Sequence, residues 1–199
     1  MMTITNILET EQHLDDVEAV IFDLDDTLYS EKAYVRSGYR KIAEWLGKPE
    51  IEDQLWKVFL QGGKALDDVL KADDRAEALR IYRYQQPNIH LYPGVKEMIG
   101  RIRAQKKVGI ITDGRPEGQR AKLQALSIEV DHVIITDELG GIECRKPCTL
   151  AFENIQQVFN MPFEKMVYVG DNMKKDFIAP KKLGMKWIWF ENSDGLYCY

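Results

Sequence analysis

Two kinds of apolar spacing divide the chain. Val17-Glu18-Ala19-Val20-Ile21-Phe22 is a nearly continuous apolar run, the pattern of a strand buried on both faces in the middle of a parallel sheet. After it the spacing turns helical. Val35, Tyr39, Ile42 and Leu46 fall on one face of a helix that Gly47-Lys48-Pro49 ends, and Ile51, Leu55, Val58 and Phe59 repeat the pattern before Gly62-Gly63. Leu66, Val69 and Leu70 continue it, and Leu79 with Tyr82 closes a last helix before Pro87. Residues 29–91 are therefore expected to form a small all-helical lobe.

From Pro93-Gly94 onward strand and helix alternate. Val95, Met98, Ile99 and Ile102 make an amphipathic helix, and Val108 to Thr112 a short apolar strand. Pro116 suits the first turn of the next helix. His132 to Thr136, Met166 to Gly170 and Lys186 to Phe190 read as three more strands, with helices between them on Ala151, Ile155, Val158 and Phe159 and around Pro180. Such alternation implies right-handed crossovers and a parallel sheet, so the expected class is α/β, with the lobe inserted after the first strand. The core would comprise residues 17–28 and 92–199, and residues 1–16 an N-terminal arm or the trace of a larger polypeptide.

At 199 residues the chain can hold one core and one lobe, and its 45% hydrophobic and 30% charged residues suit an ordinary globular protein. No apolar run approaches the roughly 20 residues of a membrane span. The start, MMTITNILETEQHLDD, lacks the regions of a signal peptide, so a cytoplasmic location is expected, with no membrane partner. A net charge of −5 argues against a nucleic-acid partner and leaves any phosphate to be met by local cations. Cys144, Cys148 and Cys198 are too few for a disulfide framework and lack a companion for zinc, so they are expected to be reduced. His13, His90 and His132 are scattered. The lysine pairs at 106–107, 174–175 and 181–182 read as solvated helix faces.

Polar residues gather where strands end. The first strand ends in Asp23-Leu24-Asp25, the second in Thr112-Asp113-Gly114, and the fourth in Gly170-Asp171-Asn172, with Asp176 five residues beyond Asp171. Lys146 follows the third strand in Arg145-Lys146-Pro147. Any one of these could be a turn hydroxyl, a cap or a solvated cation. Their joint order is far more specific. FDLDDTLY, ITDG, RKP and GDNMKKD, in that sequence from Val17 to Phe190, resemble the four motifs of the haloacid dehalogenase superfamily, and Pro93-Gly94-Val95 resembles its phosphatase branch with a helical (C1-type) cap inserted after the first motif.

That resemblance implies a Rossmann-like sheet of order 3-2-1-4-5 sandwiched by helices, whose carboxyl edge collects the motifs at a topological switch. It also implies a phosphatase. Asp23 would be the nucleophile, an ionised carboxylate that takes the phosphoryl group as an aspartyl phosphate. Mg²⁺ would offset three acids facing a dianion, held by the Asp23 and Asp171 carboxylates and the Asp25 backbone carbonyl, with Asp176 supporting the metal or orienting Lys146. Asp25 would protonate the leaving oxygen and then activate water, a role that requires its pKa to be lifted while Asp23 stays ionised. Thr112, with the backbone at Asp113 and Gly114, would hold the phosphoryl oxygens, and Lys146 would neutralise their charge. An acid at position 25 favours phosphate esters over haloacids.

Three rivals stand beside this reading. A phosphotransferase or mutase of the same superfamily differs only in its acceptor. A receiver domain would make Asp137 the phosphorylated residue and leave the lobe and GDNMKKD without a purpose, and a catalytically silent binding domain would not need the full motif set. A helical cap should close on a small soluble phosphorylated metabolite, such as a sugar phosphate or nucleotide, in a monomer or homodimer. Arg115, or the cap residues Lys32, Arg36, Arg40 and Lys41, could grip a second anionic group, and Tyr29, Tyr34 or Trp45 could stack on a base or sugar.

Overall fold

A computed structural model of the protein describes residues 2–196. Six parallel strands form one sheet: β1 (Met2–Ile4), β2 (Ala19–Phe22), β3 (Lys107–Thr112), β4 (His132–Ile135), β5 (Met166–Gly170) and β6 (Lys186–Phe190), in the spatial order β4-β3-β2-β5-β6-β1. The expected order 3-2-1-4-5 is present as the first five of these. The difference is β1, which pairs Met2 with Ile188 and Ile4 with Phe190 at the far edge. Residues 7–13 then make a 3₁₀ helix, and Ile4, Ile7 and Leu14 are buried in the main core.

Successive residues of β2 alternate between two apolar layers. Val20 and Phe22 pack with Val108, Ile110, Val167 and Val169 beneath α5 (Val95–Arg103), whereas Ala19 and Ile21 join Ile111, Tyr168, Phe152 and Ile155 on the side of α7 (Leu150–Phe159). Two further helices complete the layers: α6 (Pro116–Leu126), with Pro116 in its first turn, and α8 (Ile178–Leu183). With β2 fully buried between β3 and β5, whatever follows Phe22 emerges at the centre of the carboxyl edge.

The segment after β2 contains α1 (Glu31–Leu46), α2 (Glu50–Leu60), α3 (Ala65–Val69) and α4 (Ala72–Arg83). They share a separate apolar cluster that includes Val35, Tyr39, Ile42, Leu55 and Ala78. Helix α1 ends as its sequence requires, with Gly47 in the left-handed region at φ 64°. Two strands of chain lead into and out of this bundle side by side: Tyr92 N–H donates to the Leu28 carbonyl at 2.9 Å, and Tyr29 bridges Leu91.

Asp26 fastens that junction. Its carboxylate accepts from the Glu31 N–H at the start of α1 (2.8 Å) and from the Leu196 N–H (2.7 Å), while the Asn192 amide donates to the Asp26 carbonyl and the Tyr92 hydroxyl oxygen. The chain after β6 thereby straps both linkers to the sheet. No helix among the described residues is long and apolar enough to cross a membrane.

Candidate active site

Asp23 leaves β2 in register, its N–H donating to the Val169 carbonyl at 2.8 Å. The side chain is buried beside Lys146, whose ammonium lies 2.5 Å from Asp23 Oδ1 and 2.8 Å from Asp176 Oδ1 and donates to the Tyr168 hydroxyl at 2.9 Å. Burial alone would lower the Lys146 ammonium, yet Asp176 and Asp23 hold it well above the ordinary lysine value. A buried cation with two carboxylates and a phenol is fixed in place.

Asp23, Asp171 and Asp176 each offer a carboxylate oxygen within 4.8 Å of the others. Burial first, then the neighbouring acids, push Asp23 up to about 7 and Asp171 up to about 8. One lysine does not balance three buried acids, and hard oxygen donors with surplus negative charge suit Mg²⁺. The Asp25 carboxylate stands outside this cluster, and Asp176, expected as a supporting residue, lies within it as well as against Lys146. Asp176 also accepts from the Asn172 N–H at 2.9 Å. Its approach needs Gly170, where a Cβ would lie 2.6 Å from Asp176 Oδ2.

Asp25 faces the other way. Its Oδ1 accepts from Lys122 Nζ at 2.7 Å and from the Tyr29 hydroxyl, and its Oδ2 from the Gln119 amide at 2.9 Å. Burial raises it, but the charge and hydrogen bond of Lys122, with Tyr29 and Gln119, outweigh that and hold it below the ordinary aspartate value. The expected order, Asp25 lifted and Asp23 ionised, is therefore reversed in the free protein. Lys122 is the physical reason, a buried cation on α6 whose ammonium also sits 4.3 Å above the Tyr34 ring.

Thr112 is fully buried at the end of β3, where the Gln119 amide donates to its Oγ1 at 2.5 Å and to the Asp113 carbonyl at 2.8 Å. One amide nitrogen with two hydrogens thus faces three oxygens, counting Asp25. Asp113 itself is a tether: its carboxylate accepts from Thr136 Oγ1 (3.1 Å), the Lys146 N–H (3.0 Å) and Lys175 Nζ (3.1 Å). Lys175, expected as a solvated lysine, is thus bound into the site, because the turn after β5 folds it back over the sheet edge.

Between the sheet edge and the helical segment lies a cavity of about 310 Å³. The core side presents Asp25, Asp113, Gly114, Arg115, Lys122 and Arg145, and α1 and α4 present Glu31, Tyr34, Tyr82 and Arg83. Burial and the Asp25 charge push Glu31 up to about 8. Asp23, Lys146, Asp171 and Asp176 thus form one buried cluster, Thr112 is tied through Gln119 to Asp25, and Asp25, Gly114 and Arg115 line the cavity.

Other candidates lie elsewhere. Arg36 and Arg40 pair with Glu52, Lys41 with Glu44 and Lys32 with Asp194. Tyr29 is fully buried with its hydroxyl on Asp25, and Trp45 is exposed away from the cavity. Cys144 and Cys148 are unbridged, and Cys198 lies outside the described residues. Lys122 and Gln119 escaped the sequence reading. Their signal is the three-residue spacing on the helix that Pro116 opens, which turns both toward the same side as Thr112.

A parallel α/β sheet that gathers carboxylates and a lysine at the end of its central strand is the architecture of a hydrolase of the α/β class. The chain belongs to the haloacid dehalogenase-like hydrolase family, whose sequence profile matches residues 17–184. It is 35% identical over 102 residues to a glyceraldehyde 3-phosphate phosphatase of Pyrococcus abyssi, a match covering 50% of this chain and 42% of that protein. The enzyme of the same name from Methanocaldococcus jannaschii is 30% identical over 85% of this chain and 82% of its own. Among solved structures, a haloacid dehalogenase superfamily hydrolase from Geobacter sulfurreducens shares the fold with a TM-score of 0.69, at 17% identity over 89% of each chain.

Proposed function

We propose that the protein is a Mg²⁺-dependent phosphatase that hydrolyses a small phosphate monoester through an aspartyl phosphate on Asp23. The observation that carries this is the placement of Asp23 against Lys146, with the Asp171 and Asp176 acids beside it. The phosphatase names of the relatives support the reaction class.

The Asp23 carboxylate attacks phosphorus and the P–O bond to the organic group breaks, the leaving oxygen taking a proton from Asp25. Asp25, now a base, removes a proton from water, whose oxygen attacks the same phosphorus and releases inorganic phosphate and Asp23. Lys146 and the Thr112 hydroxyl hold the phosphoryl oxygens whose charge grows on transfer. The Asp23, Asp171 and Asp176 carboxylates, with the Asp25 backbone carbonyl by resemblance, would hold Mg²⁺, which when bound supplies charge that keeps Asp23 ionised and offsets the repulsion of the phosphate. Since Asp25 rests on Lys122, its acid role requires exchanging that cation for a proton, which an arriving substrate anion in contact with Lys122 would allow.

Helices α1 to α4 act as the cap. Of these, α1 and α4 wall one side of the cavity, and the paired linkers at Tyr29 and Leu91 are the natural hinge. The cavity's size suits a small soluble metabolite.

The test is phosphate release from a broad panel of monoesters with and without Mg²⁺. Turnover in water without a second acceptor, abolished by Asp23→Asn, is expected. Absence of turnover from a folded enzyme would remove the phosphatase, transfer that needs an organic acceptor would make it a phosphotransferase, and an active Asp23→Asn would remove the nucleophile.

A further inference from the structure

The arginines of this chain are distributed unevenly between satisfied and open positions. Of ten, eight lie within ion-pair distance of a carboxylate. Arg83 and Arg115 are the two with no ion pair among the described residues. Both line the cavity that Asp25 and Lys122 border. They reach it from the helical segment and from the core, Arg83 as the last residue of α4 and Arg115 as the residue just before α6.

The other cations at the site are committed. Lys146 is held by Asp23 and Asp176, Lys122 by Asp25, Lys175 by Asp113 and Arg145 by Asp137 at 2.6 Å. Glu31 and Glu117 share the cavity wall, and neither forms an ion pair with either arginine. A plain monoester needs cations only around its phosphoryl group, which Lys146 and the Mg²⁺ that the buried acids would hold already serve. Two further uncommitted guanidinium groups at the opening exceed that need. A guanidinium is a rigid planar fork matched to carboxylate and phosphate, and closing the cavity around it strengthens the bond.

We propose that the substrate carries a second anionic group, a carboxylate or phosphate, gripped between Arg83 and Arg115. The proposal rests on the phosphatase reading of the same site and narrows it. Because one arginine belongs to the helical segment and the other to the core, the second anion also draws α4 toward α6 and closes the cavity over the ester. An ester with a neutral tail lacks that clamp and should be the poorer substrate.

Three three-carbon esters decide it: glycerol 3-phosphate, whose tail is neutral, 3-phosphoglycerate, and propane-1,3-diol bisphosphate, all assayed with the full-length enzyme and Mg²⁺. At least one of the two-anion esters should exceed glycerol 3-phosphate in kcat/KM by about tenfold, the weight of one charge-assisted contact. A gain for 3-phosphoglycerate alone assigns a carboxylate, and a gain for the bisphosphate alone a phosphate. Arg83→Gln and Arg115→Gln should each collapse that ratio, chiefly by raising KM for the two-anion ester, whereas a folding defect would lower turnover of all three together. Equal kcat/KM for all three esters, or a ratio untouched by both variants, overturns the second anion and leaves the phosphatase standing. No turnover of any of the three, or of a chromogenic monoester, overturns both.

Discussion

Lys122 sets the character of Asp25 more than any motif residue does. With the ammonium removed, as in Lys122→Met, burial of the Asp25 carboxylate is opposed only by Tyr29 and Gln119, so its pKa rises. Breaking a buried pair costs about 3–5 kcal/mol while the survivor stays charged, and less once it protonates. In the wild type the lowered Asp25 favours folding above its unfolded value of 3.8 and loses that contribution in acid. The stability gap between wild type and variant should therefore widen from pH 4 to pH 8, measured by urea unfolding, and a gap independent of pH would mean that Lys122 serves only packing. Sequence could point to Asp23, Thr112, Lys146 and Asp171, because strand ends at motif spacing fix where such residues emerge. It could not point to Lys122 or Gln119, since a lysine on an amphipathic helix reads as solvated until the rotation of that helix over the sheet is known.

Among the elements, α1 and α4 meet in a close seam within the helical segment. A Cβ on Gly38 would lie 2.4 Å from Tyr82 Cδ2 and 2.7 Å from the Gln85 amide, and Tyr34 meets Tyr82 edge-on at 5.8 Å between ring centres. Gly38→Ala should destabilise the protein by about 1–3 kcal/mol through overpacking, although alanine is the better helix former. Thermal unfolding checks the sign, since a gain in stability would show that the seam yields freely. Tyr82 and Arg83 border the cavity, so the same change should also raise KM. The interior strands and the helices were legible because their apolar periods are long and unmixed. Strand β1 was not, because its three residues include one buried side chain, Ile4, and its pairing is dictated by the open edge of β6 rather than by its own pattern.

For the whole molecule, the buried acids make folding and metal binding one equilibrium. Asp23 and Asp171 titrate well above the unfolded value of 3.8, so the folded state keeps protons that the unfolded chain has released. Without a divalent ion, stability should therefore fall as pH rises from about 4 through 7 to 8. Mg²⁺ binds the deprotonated carboxylates, so the rise in Tm at saturating Mg²⁺ should be larger at pH 8 than at pH 6. A Tm that ignores Mg²⁺ at both, or gains more at pH 6, would count against the acid cluster as a metal site. The sixth strand has a temporal consequence as well. Strand β1 leaves the ribosome before the other five strands, and its partner β6 after them all. During synthesis β1 must wait unpaired while the strands between are made, and that edge closes only once β6 has emerged.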